Sequence, residues 1–403
     1  MKVIVIGAGI AGAAASVALR RAGCDVELFE AHPQGASEVG AWLTLANNGI
    51  DALAAIGIAD RVGELGFATP RFEMFNHTGR RVGAFPFGEP RADGLEVRTI
   101  RRPELYRTLR DAATDRGTLL RLGKEIVDAR NDGRRVHVTF QDGSAADADL
   151  LVGADGLRSR VRTIIDPHAP KARYGGLLNT GGFAANPDLS PEFRAPAGTM
   201  HFRFGRHCFL GYATAPNGDI WWFANPPSKQ ELDRNALRDI SPAAWRTRLL
   251  GLFAGDHLPA RQLIDATEHI YAGWNTYDFP SVPTWHRNGM VIIGDAAHAV
   301  SPAAGQGAAL ALEDAVILAK TLRDQPDTES ALTTYETIRR PRVERAVEQG
   351  KRGGDGKAAG PLTRVLRDRV FLPLAQRRYG TRDTDENDWL YNHHIEWTGP
   401  TTV

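Results

Sequence analysis

The stretch from Met290 to Thr321, MVIIGDAAHAVSPAAGQGAALALEDAVILAKT, decides the fold of this chain. It opens with four apolar residues, Met290 to Ile293, which do not alternate with polar ones and so predict a strand buried in a parallel sheet. The strand ends at Gly294-Asp295, a loop of small residues follows, and apolar residues recur at helical spacing from Ala308 to Leu322. The pattern predicts strand, carboxylate, loop and helix, in that order.

This unit suits a ligand that carries hydroxyl groups and a planar ring with negative charge. Asp295 at the end of the strand can accept hydrogen bonds from a polyol. The backbone amides from Gly305 to Ala308 point the positive end of a helix at an anion. The alternative is an ordinary strand-to-helix turn capped by Asp295. His298, Pro302 and the turn-forming residues make the stretch a poor membrane-spanning helix.

The first thirty residues form a similar unit. A strand from Val3 to Ile6 precedes a glycine-rich loop, a helix runs to about Arg21, and a second strand begins at Asp25 and leads to Glu30. The loop glycines are Gly7, Gly9 and Gly12. Glycines at this spacing let a pyrophosphate approach the backbone, and an acid at this distance binds ribose hydroxyls. The unit predicts an adenine dinucleotide, either NAD or FAD.

The chain beyond Glu30 departs from a simple nicotinamide dehydrogenase, which would continue through strand and helix pairs. Residues Arg71 to Gly88 alternate and turn at Thr78-Gly79, which predicts an inserted hairpin. Arg102 begins a helix with Pro103 in its first turn, and it is either a pyrophosphate ligand or a solvated arginine. Asp155-Gly156 ends another buried strand, and Asp155 is either a site residue or the cap of a helix at Leu157.

Residues 172–272 predict a second domain built on an antiparallel sheet. The strands are predicted at Gly175 to Phe183, Gly198 to Phe204, Cys208 to Thr214 and Ile220 to Ala224. An aromatic face that could roof a flat substrate is predicted from Phe202, Phe204, Tyr212, Trp221, Trp222 and Phe223, although aromatics in strands are more often core. Tyr212, Trp222 and Pro302 are the candidate substrate contacts.

The amino-acid composition limits the kinds of partner that we expect this protein to bind. The 403 residues carry 49 Lys and Arg against 48 Asp and Glu, so a formal net charge of +1 gives no basis for binding nucleic acid or an acidic membrane. Cys24 and Cys208 lack the spacing of a metal or redox site, and we expect no metal. The N-terminus enters a strand at once, so we expect no signal peptide and a cytoplasmic protein. The expected partner is a small aromatic substrate, with the protein a monomer or a homodimer.

Three separated pieces, Gly7-x-Gly9-x-x-Gly12 with Glu30, Asp155-Gly156, and Gly294-Asp295 with Pro302-x-x-Gly305-Gln306-Gly307, together resemble the single-component flavoprotein aromatic hydroxylases. These are the class A FAD monooxygenases of the para-hydroxybenzoate, salicylate and urate hydroxylase type, and the resemblance covers residue 1 to about 350. It implies an α/β fold that is divided into two domains, in an α+β arrangement. A Rossmann-like FAD-binding domain carries an inserted antiparallel-sheet substrate domain and a C-terminal helical tail.

The predicted boundaries give a discontinuous FAD domain (1–70, 95–172 and 273–360) and a substrate domain (71–94 and 173–272). A tail from 361 to 403 is predicted to pack on the body, after a glycine-rich break from Gly350 to Gly360. The resemblance implies that Glu30 binds the FAD ribose, Arg102 the pyrophosphate, Asp295 the ribityl chain and the amides near Gly307 the flavin edge. The full set of expected FAD contacts is Gly7, Gly9, Gly12, Glu30, Arg102, Asp155, Asp295, Pro302, Gly305, Gly307 and Ala308.

The implied reaction is hydroxylation of an electron-rich aromatic or heteroaromatic ring. FAD would be reduced by transient NADH or NADPH, O2 captured as a C4a-hydroperoxyflavin, and its outer oxygen transferred. A base should face an ionisable substrate, and the candidates are Tyr212, Arg203, His201 and His298. Alternatives are a flavin-dependent epoxidase, halogenase or reductase, or a flavin-binding protein without catalysis.

Overall fold

The computed structural model describes residues 1–35, 41–89, 91–357, 366 and 388–401, and within them the strands form four sheets. The strands are β1 (Lys2–Ile6), β2 (Asp25–Glu30), β3 (Trp42–Leu45), β4 (Phe67–Ala68), β5 (Arg71–Asn76), β6 (Arg81–Pro86), β7 (Arg98–Arg101), β8 (Leu119–Leu122), β9 (Ile126–Asn131), β10 (Val136–Phe140), β11 (Ala145–Ala148), β12 (Leu150–Gly153), β13 (Arg173–Ala184), β14 (Thr199–Phe204), β15 (Phe209–Thr214), β16 (Ile220–Asn225), β17 (Trp274–Asp278), β18 (His286–Arg287) and β19 (Met290–Ile292).

The helices connect and cover these sheets. They are α1 (Ile10–Arg21), α2 (Asn47–Ala55), α3 (Ala59–Gly63), α4 (Arg102–Asp115), α5 (Arg160–Ile165), α6 (Arg234–Arg238), α7 (Pro242–Leu252), α8 (Ala260–Asp265), α9 (Asp295–His298), α10 (Gly307–Asp324), α11 (Thr328–Lys357) and α12 (Asp388–Tyr391). Short 3-10 turns span Pro191–Phe193 and Pro302–Ala304.

One sheet has six strands in the order β18-β19-β12-β1-β2-β8. The sequence motifs lie where strands of this sheet end. All neighbours pair in parallel except β18 and β19. Strands β12 and β19 are buried at every residue, as their unbroken apolar sequences predict. Helix α1 packs on β1 and β2 and against α10, so the early and late sequence motifs share one core.

A seven-stranded sheet in the order β17-β13-β16-β15-β14-β5-β6 forms the second layer. It is antiparallel except where β5 pairs in parallel with β14, so the predicted hairpin at Arg71 to Gly88 extends this sheet. Small sheets β3-β7-β4 and β11-β10-β9 complete the strands of the described chain. The parallel sheet followed by a large antiparallel one confirms the predicted fold class.

Helix α11 corrects one expectation from the sequence. The predicted break after Gly350 is wrong as far as Lys357, because the helix continues through Gly353 and Gly354. Of the predicted tail, Leu390 and Ile395 join the core of the six-stranded sheet. Residues 358–365 and 367–387 lie outside the described chain, and the domain boundaries remain a prediction.

Candidate active site

Three turns that are far apart in sequence meet at the carboxyl ends of the parallel strands. An ideal Cβ on Gly7 would lie 2.4 Å from the carbonyl oxygen of Ala154, so the first turn touches the one before Asp155. An ideal Cβ on Gly294 would lie 2.9 Å from the Cβ of Ala11, so the late turn touches the start of α1. In parallel sheets this edge is where ligands bind. The structure therefore brings all three predicted motifs to one place.

The early turn has the geometry that its glycines predict. Gly7 has a φ of +99°, a conformation that L side chains rarely adopt, and its amide donates to the carbonyl oxygen of Phe29 at 2.7 Å. A Cβ on Gly9 would meet nothing within 4 Å, which leaves open space beside the backbone. Glu30 lies at the same edge and accepts from the amides of Ala8 at 2.8 Å and His32 at 2.9 Å. Each carboxylate oxygen retains a lone pair for a further donor.

The late turn presents a carboxylate beside the start of a helix. Asp295 is the one exposed residue between Met290 and Val300. Its Oδ1 would lie 3.9 Å from an ideal Cβ on Gly307, the first residue of α10. Gly305 precedes this helix with a φ of +63° and open space around it. The amides at the start of α10 and the carboxylate of Asp295 therefore border the same open groove.

Two buried amide side chains, Asn48 of α2 and Gln306 at the start of α10, leave polar atoms without partners. Asn48 donates to Gln306 Oε1 at 2.9 Å and to Glu313 Oε1 at 2.7 Å. Asn48 Oδ1 and Gln306 Nε2 are buried and have no hydrogen-bond partner. A buried polar atom without a partner costs about 1–3 kcal/mol. One acceptor and one donor are thus free for a ligand with polar edges, which fits the ring system of FAD.

Arg102 begins α4 at the edge of this region, half-buried, with its Nε buried and unpartnered. Among the described residues no carboxylate pairs with its guanidinium. A half-buried guanidinium without a counter-charge is available to an anion such as a pyrophosphate, which favours the ligand interpretation of Arg102 over that of a solvated arginine.

The carboxylate of Asp155 accepts hydrogen bonds from groups within the chain. It accepts from the Ser159 hydroxyl at 2.5 Å and from the amides of Arg160 at 2.7 Å and Val161 at 3.1 Å. Burial raises the pKa of Asp155, and the hydrogen bonds from Ser159, Val161 and Arg160 oppose that rise. Asp155 therefore supports the start of α5, which begins at Arg160 rather than at Leu157, while the N-cap of the helix is Ser159.

The seven-stranded sheet has two chemically different faces. Its inner face, formed by Phe72, Phe202, Phe209, Trp221 and Phe223, packs against the small sheet that holds Trp42 and Phe67. The ring centroids of Trp42 and Phe223 are 5.5 Å apart, and those of Phe67 and Trp221 are 5.0 Å apart. Phe202 and Phe223 remain partly exposed. Helix α11 connects this aromatic wall to the late turn, because it packs on Pro302–Ala304 and its Lys357 Nζ lies 4.1 Å from the ring centroid of Phe209.

The outer face corrects the predicted substrate contacts. Because strand residues alternate, Tyr212 and Trp222 point away from the inner face and pack with α6 to α8 in a separate apolar cluster. Trp222 Nε1 donates to Thr267 Oγ1 at 2.8 Å, and neither ring has measurable exposure. The structure does not bring these two residues to the aromatic wall. Pro302 is exposed on the late turn, where its predicted contact with substrate stays a prediction.

The candidate bases His201 and Arg203 also lie on the outer face, bound to Tyr212. The Tyr212 hydroxyl donates to the carbonyl oxygen of Phe193 at 2.7 Å, Arg203 Nε donates to that hydroxyl at 3.0 Å, and His201 Nδ1 lies 3.0 Å from it. Burial, with the charge of Arg203, lowers the pKa of His201 to about 3. Burial raises the pKa of Tyr212 to about 12. His298 is buried against Asp314. None of them faces the groove.

Sequence reasoning missed three residues that border the aromatic wall. Trp42 has a buried Nε1 without a partner. The guanidinium of Arg101 stacks on Phe183 at 4.4 Å, and Lys357 reaches the opposite end from α11. The strand period could have assigned Trp221 and Phe223 to the same face as each other. No local signal marks Lys357, because its position depends on where a 30-residue helix ends.

Comparison with known proteins identifies the family of the chain. A family model described as FAD binding domain matches residues 1–350. Aurachin C monooxygenase/isomerase of Stigmatella aurantiaca is 31% identical over 348 residues, 86% of each chain. The 6-hydroxynicotinate 3-monooxygenase of Pseudomonas fluorescens is 29% identical over 356 residues, 85% of this chain and 88% of that one. In the described residues, no helix has both the length and the apolarity to cross a membrane.

Among solved structures, Klebsiella pneumoniae HpxO complexed with FAD and uric acid superposes with a TM-score of 0.78. It is 27% identical, and the match covers 93% of each chain. The salicylate hydroxylase substrate complex, at 24% identity and a TM-score of 0.76, shares the fold over 98% of this chain and 95% of its own.

Proposed function

The chain belongs to the FAD binding domain family and is an FAD-dependent monooxygenase of the aromatic hydroxylase type, and from this premise we propose that it uses NAD(P)H and O2 to add one oxygen atom to an electron-rich aromatic or heteroaromatic ring. The observation that carries the proposal is the convergence of the three motif turns on one groove, which α11 connects to an aromatic wall. Bound FAD supplies a ring that accepts a hydride and then activates O2.

Different residues of the groove bind different parts of the cofactor. Glu30 would accept hydrogen bonds from the ribose at the early turn, and the open backbone at Gly9 would admit the pyrophosphate. Arg102 would neutralise part of the pyrophosphate charge. Asp295 would accept from the polyol chain, and the amides at the start of α10 would stabilise negative charge on the ring edge.

The inner face positions the substrate ring and excludes water. Aromatic side chains such as Phe202, Phe223 and Trp42 present flat apolar surfaces to a planar substrate. Expelling water strengthens the electrostatic support that the α10 amides give to developing charge. The buried network around Tyr212 on the outer face fixes the strands that carry this wall.

The cofactor half of the proposal is tested by Asp295→Ala, with Asp188→Ala, a fully exposed carboxylate, as the matched control. We expect wild type and Asp188→Ala to purify yellow with flavin, and Asp295→Ala to lose most of its FAD occupancy because the polyol loses its acceptor. Flavin absorbance relative to protein absorbance measures the occupancy. Full occupancy in Asp295→Ala contradicts this placement of the cofactor.

The reaction is tested by screening phenols, hydroxyindoles and purines for faster NAD(P)H oxidation by the holoenzyme. A substrate should increase the rate and should take one atom from labelled O2, as measured by mass spectrometry of the product. Oxidation that yields only hydrogen peroxide with every ring compound, or a product without the label, contradicts hydroxylation.

A further inference from the structure

The last turn of α11 carries a lysine into the space between the late turn and the aromatic wall. An ideal Cβ on Gly350 would lie 2.9 Å from the Cβ of Ala304, and one on Gly354 would lie 3.5 Å from Ser301 Oγ. The glycines therefore let the helix approach the loop of Pro302 closely. Lys357 follows within one turn of Gly354 and leaves the helix toward the sheet.

The ammonium of Lys357 lies against the inner face of the sheet. Its Nζ donates to Asn225 Oδ1 at 2.8 Å and lies 4.1 Å from the ring centroid of Phe209 and 5.4 Å from that of Phe223. Asn225 holds its amide nitrogen toward the carbonyl oxygen of Leu178 at 3.3 Å, which leaves its oxygen facing the lysine. An ammonium has three donors, and the described contacts use one of them on oxygen.

The described side chains at this end of the pocket bring no negative charge to Lys357. Among the side chains that the structure describes, no carboxylate pairs with Lys357. Among the described residues, the titratable group that interacts electrostatically with Lys357 is the thiol of Cys208. This thiol is buried in the outer-face cluster, and burial raises its pKa, so it stays uncharged. Burial lowers the pKa of Lys357 to about 7. A cation in an aromatic environment without a counter-charge is stabilised by a ligand that brings one.

We propose that Lys357 binds an acidic oxygen on the substrate ring, either a carboxylate or a ring hydroxyl, and thereby selects which aromatic compounds the site accepts. The inference rests on the proposed hydroxylase function. A protonated Lys357 pairs directly with a carboxylate. A neutral Lys357 takes the proton of a ring hydroxyl: the O–H bond breaks, an N–H bond forms, and an ammonium faces a ring oxyanion with no change of oxidation state. The electron-rich oxyanion is the better substrate for oxygen transfer.

The test compares binding to holoenzymes of wild type, Lys357→Met, Lys357→Arg and Lys351→Met. Lys351 is an exposed lysine on the same helix and serves as the matched control. The probes are benzoate with its neutral analogue benzamide, and 4-nitrophenol with nitrobenzene. Perturbation of flavin absorbance and quenching of tryptophan fluorescence give Kd without turnover. A larger preference within the benzoate and benzamide pair indicates that Lys357 binds a carboxylate. A larger preference within the 4-nitrophenol and nitrobenzene pair indicates that it binds a ring hydroxyl.

We expect wild type and Lys351→Met to bind the acidic member of at least one pair about 10-fold or more tightly than the neutral one. Lys357→Met should lose that preference while keeping its FAD and its affinity for the neutral probe. Lys357→Arg should retain part of the preference. Benzoate affinity of wild type should fall as the pH rises through about 7, where Lys357 loses its proton, and should stay flat in Lys357→Met.

Three results overturn the inference: wild type prefers neither acidic probe, Lys357→Met retains the preference, or Lys357→Met weakens both members of a pair equally, as a packing defect does. Failure of the proposed function looks different. In that case wild type lacks FAD, or no ring compound yields a labelled product, whatever residue occupies position 357.

Discussion

The two faces of the seven-stranded sheet are built from the same strands and both carry aromatic residues, yet they do different things. On the outer face Trp222 and Tyr212 are fully buried and hydrogen-bonded to Thr267 and Phe193. On the inner face Phe202 and Phe223 keep partial exposure although other aromatic rings surround them. Complete burial of the aromatic rings marks a face that stabilises the fold. Residual exposure of aromatic rings marks a face that binds.

The same contrast holds for the cation on each face. Arg203 on the outer face lies over Phe75 at 4.2 Å and donates to the Tyr212 hydroxyl and, at 3.3 Å, to the carbonyl oxygen of Glu192. Lys357 on the inner face also lies over an aromatic ring but has one oxygen partner. Oxygen acceptors within the chain therefore surround the first cation, whereas the second leaves room for an acceptor from a ligand.

The largest expected effect comes from truncating the outer face. Trp222→Ala removes a fully buried indole and the hydrogen bond that it donates to Thr267, so we expect the free energy of unfolding to fall by about 3–5 kcal/mol. Urea unfolding monitored by circular dichroism measures the change. The variant that remains folded at low temperature should still contain FAD.

If Trp222→Ala unfolded like wild type and instead lost affinity for aromatic probes, the assignment of Trp222 to the structural face would be wrong.

A second, smaller effect concerns pH. Because burial and Arg203 lower the pKa of His201 to about 3, the unfolded chain takes up a proton on this histidine at a higher pH than the folded chain does. Folded-state stability is therefore lost as the pH falls from about 6.5, the ordinary value for histidine, toward 3. Between pH 7 and 5.5 this contribution is about 1 kcal/mol by linkage.

His201→Gln should remove that contribution, so its free energy of unfolding should fall less than that of wild type between the two pH values. Urea unfolding at pH 7 and 5.5 makes the comparison, and His168→Gln controls for replacing an exposed histidine. Parallel pH dependence in His201→Gln and wild type would mean that His201 is protonated in the folded protein.

The turns of the cofactor groove could be predicted from sequence because their signals are local. Unbroken apolar strands such as Met290 to Ile292 specify burial on both faces, and the Gly7 turn needs a conformation that only glycine adopts easily. Their convergence follows from parallel pairing, which brings the carboxyl ends of strands to one edge. The α/β fold and the FAD-binding family could therefore be predicted from the sequence alone.

The faces of the second sheet could not be assigned in the same way. Trp221, Trp222 and Phe223 are consecutive and all apolar, so the sequence shows alternation without showing which partner layer each side meets. Helices α6 to α8 cover the outer face and determine which residues are buried there. They lie after β16 in the chain, so the sequence of the strand does not reveal them. Gly350 and Gly354 predicted a break because glycine weakens isolated helices. Here they allow the close approach to Ser301 and Ala304 that carries Lys357 to the pocket.

The smallest expected change in stability is also the sharpest comparison, because it concerns the next residue in the chain. Phe223 adjoins Trp222 but lies on the inner face, partly exposed and 5.8 Å from the Phe209 centroid. Phe223→Leu keeps most of the apolar volume, so its free energy of unfolding should change by less than about 1.5 kcal/mol. The loss of a ring that stacks on the ligand should weaken binding of aromatic probes by about 0.5–1.5 kcal/mol, a few-fold to about 10-fold.

Binding titrations and urea unfolding on the same preparation separate the two quantities. A large loss of stability with unchanged probe affinity in Phe223→Leu would make the inner face a second structural core, since neighbouring residues on opposite sides of one strand would then contribute to the same property. Reduced affinity with nearly unchanged stability would show that alternation along β16 divides the strand between folding and ligand recognition, with Trp222 serving the first and Phe223 the second.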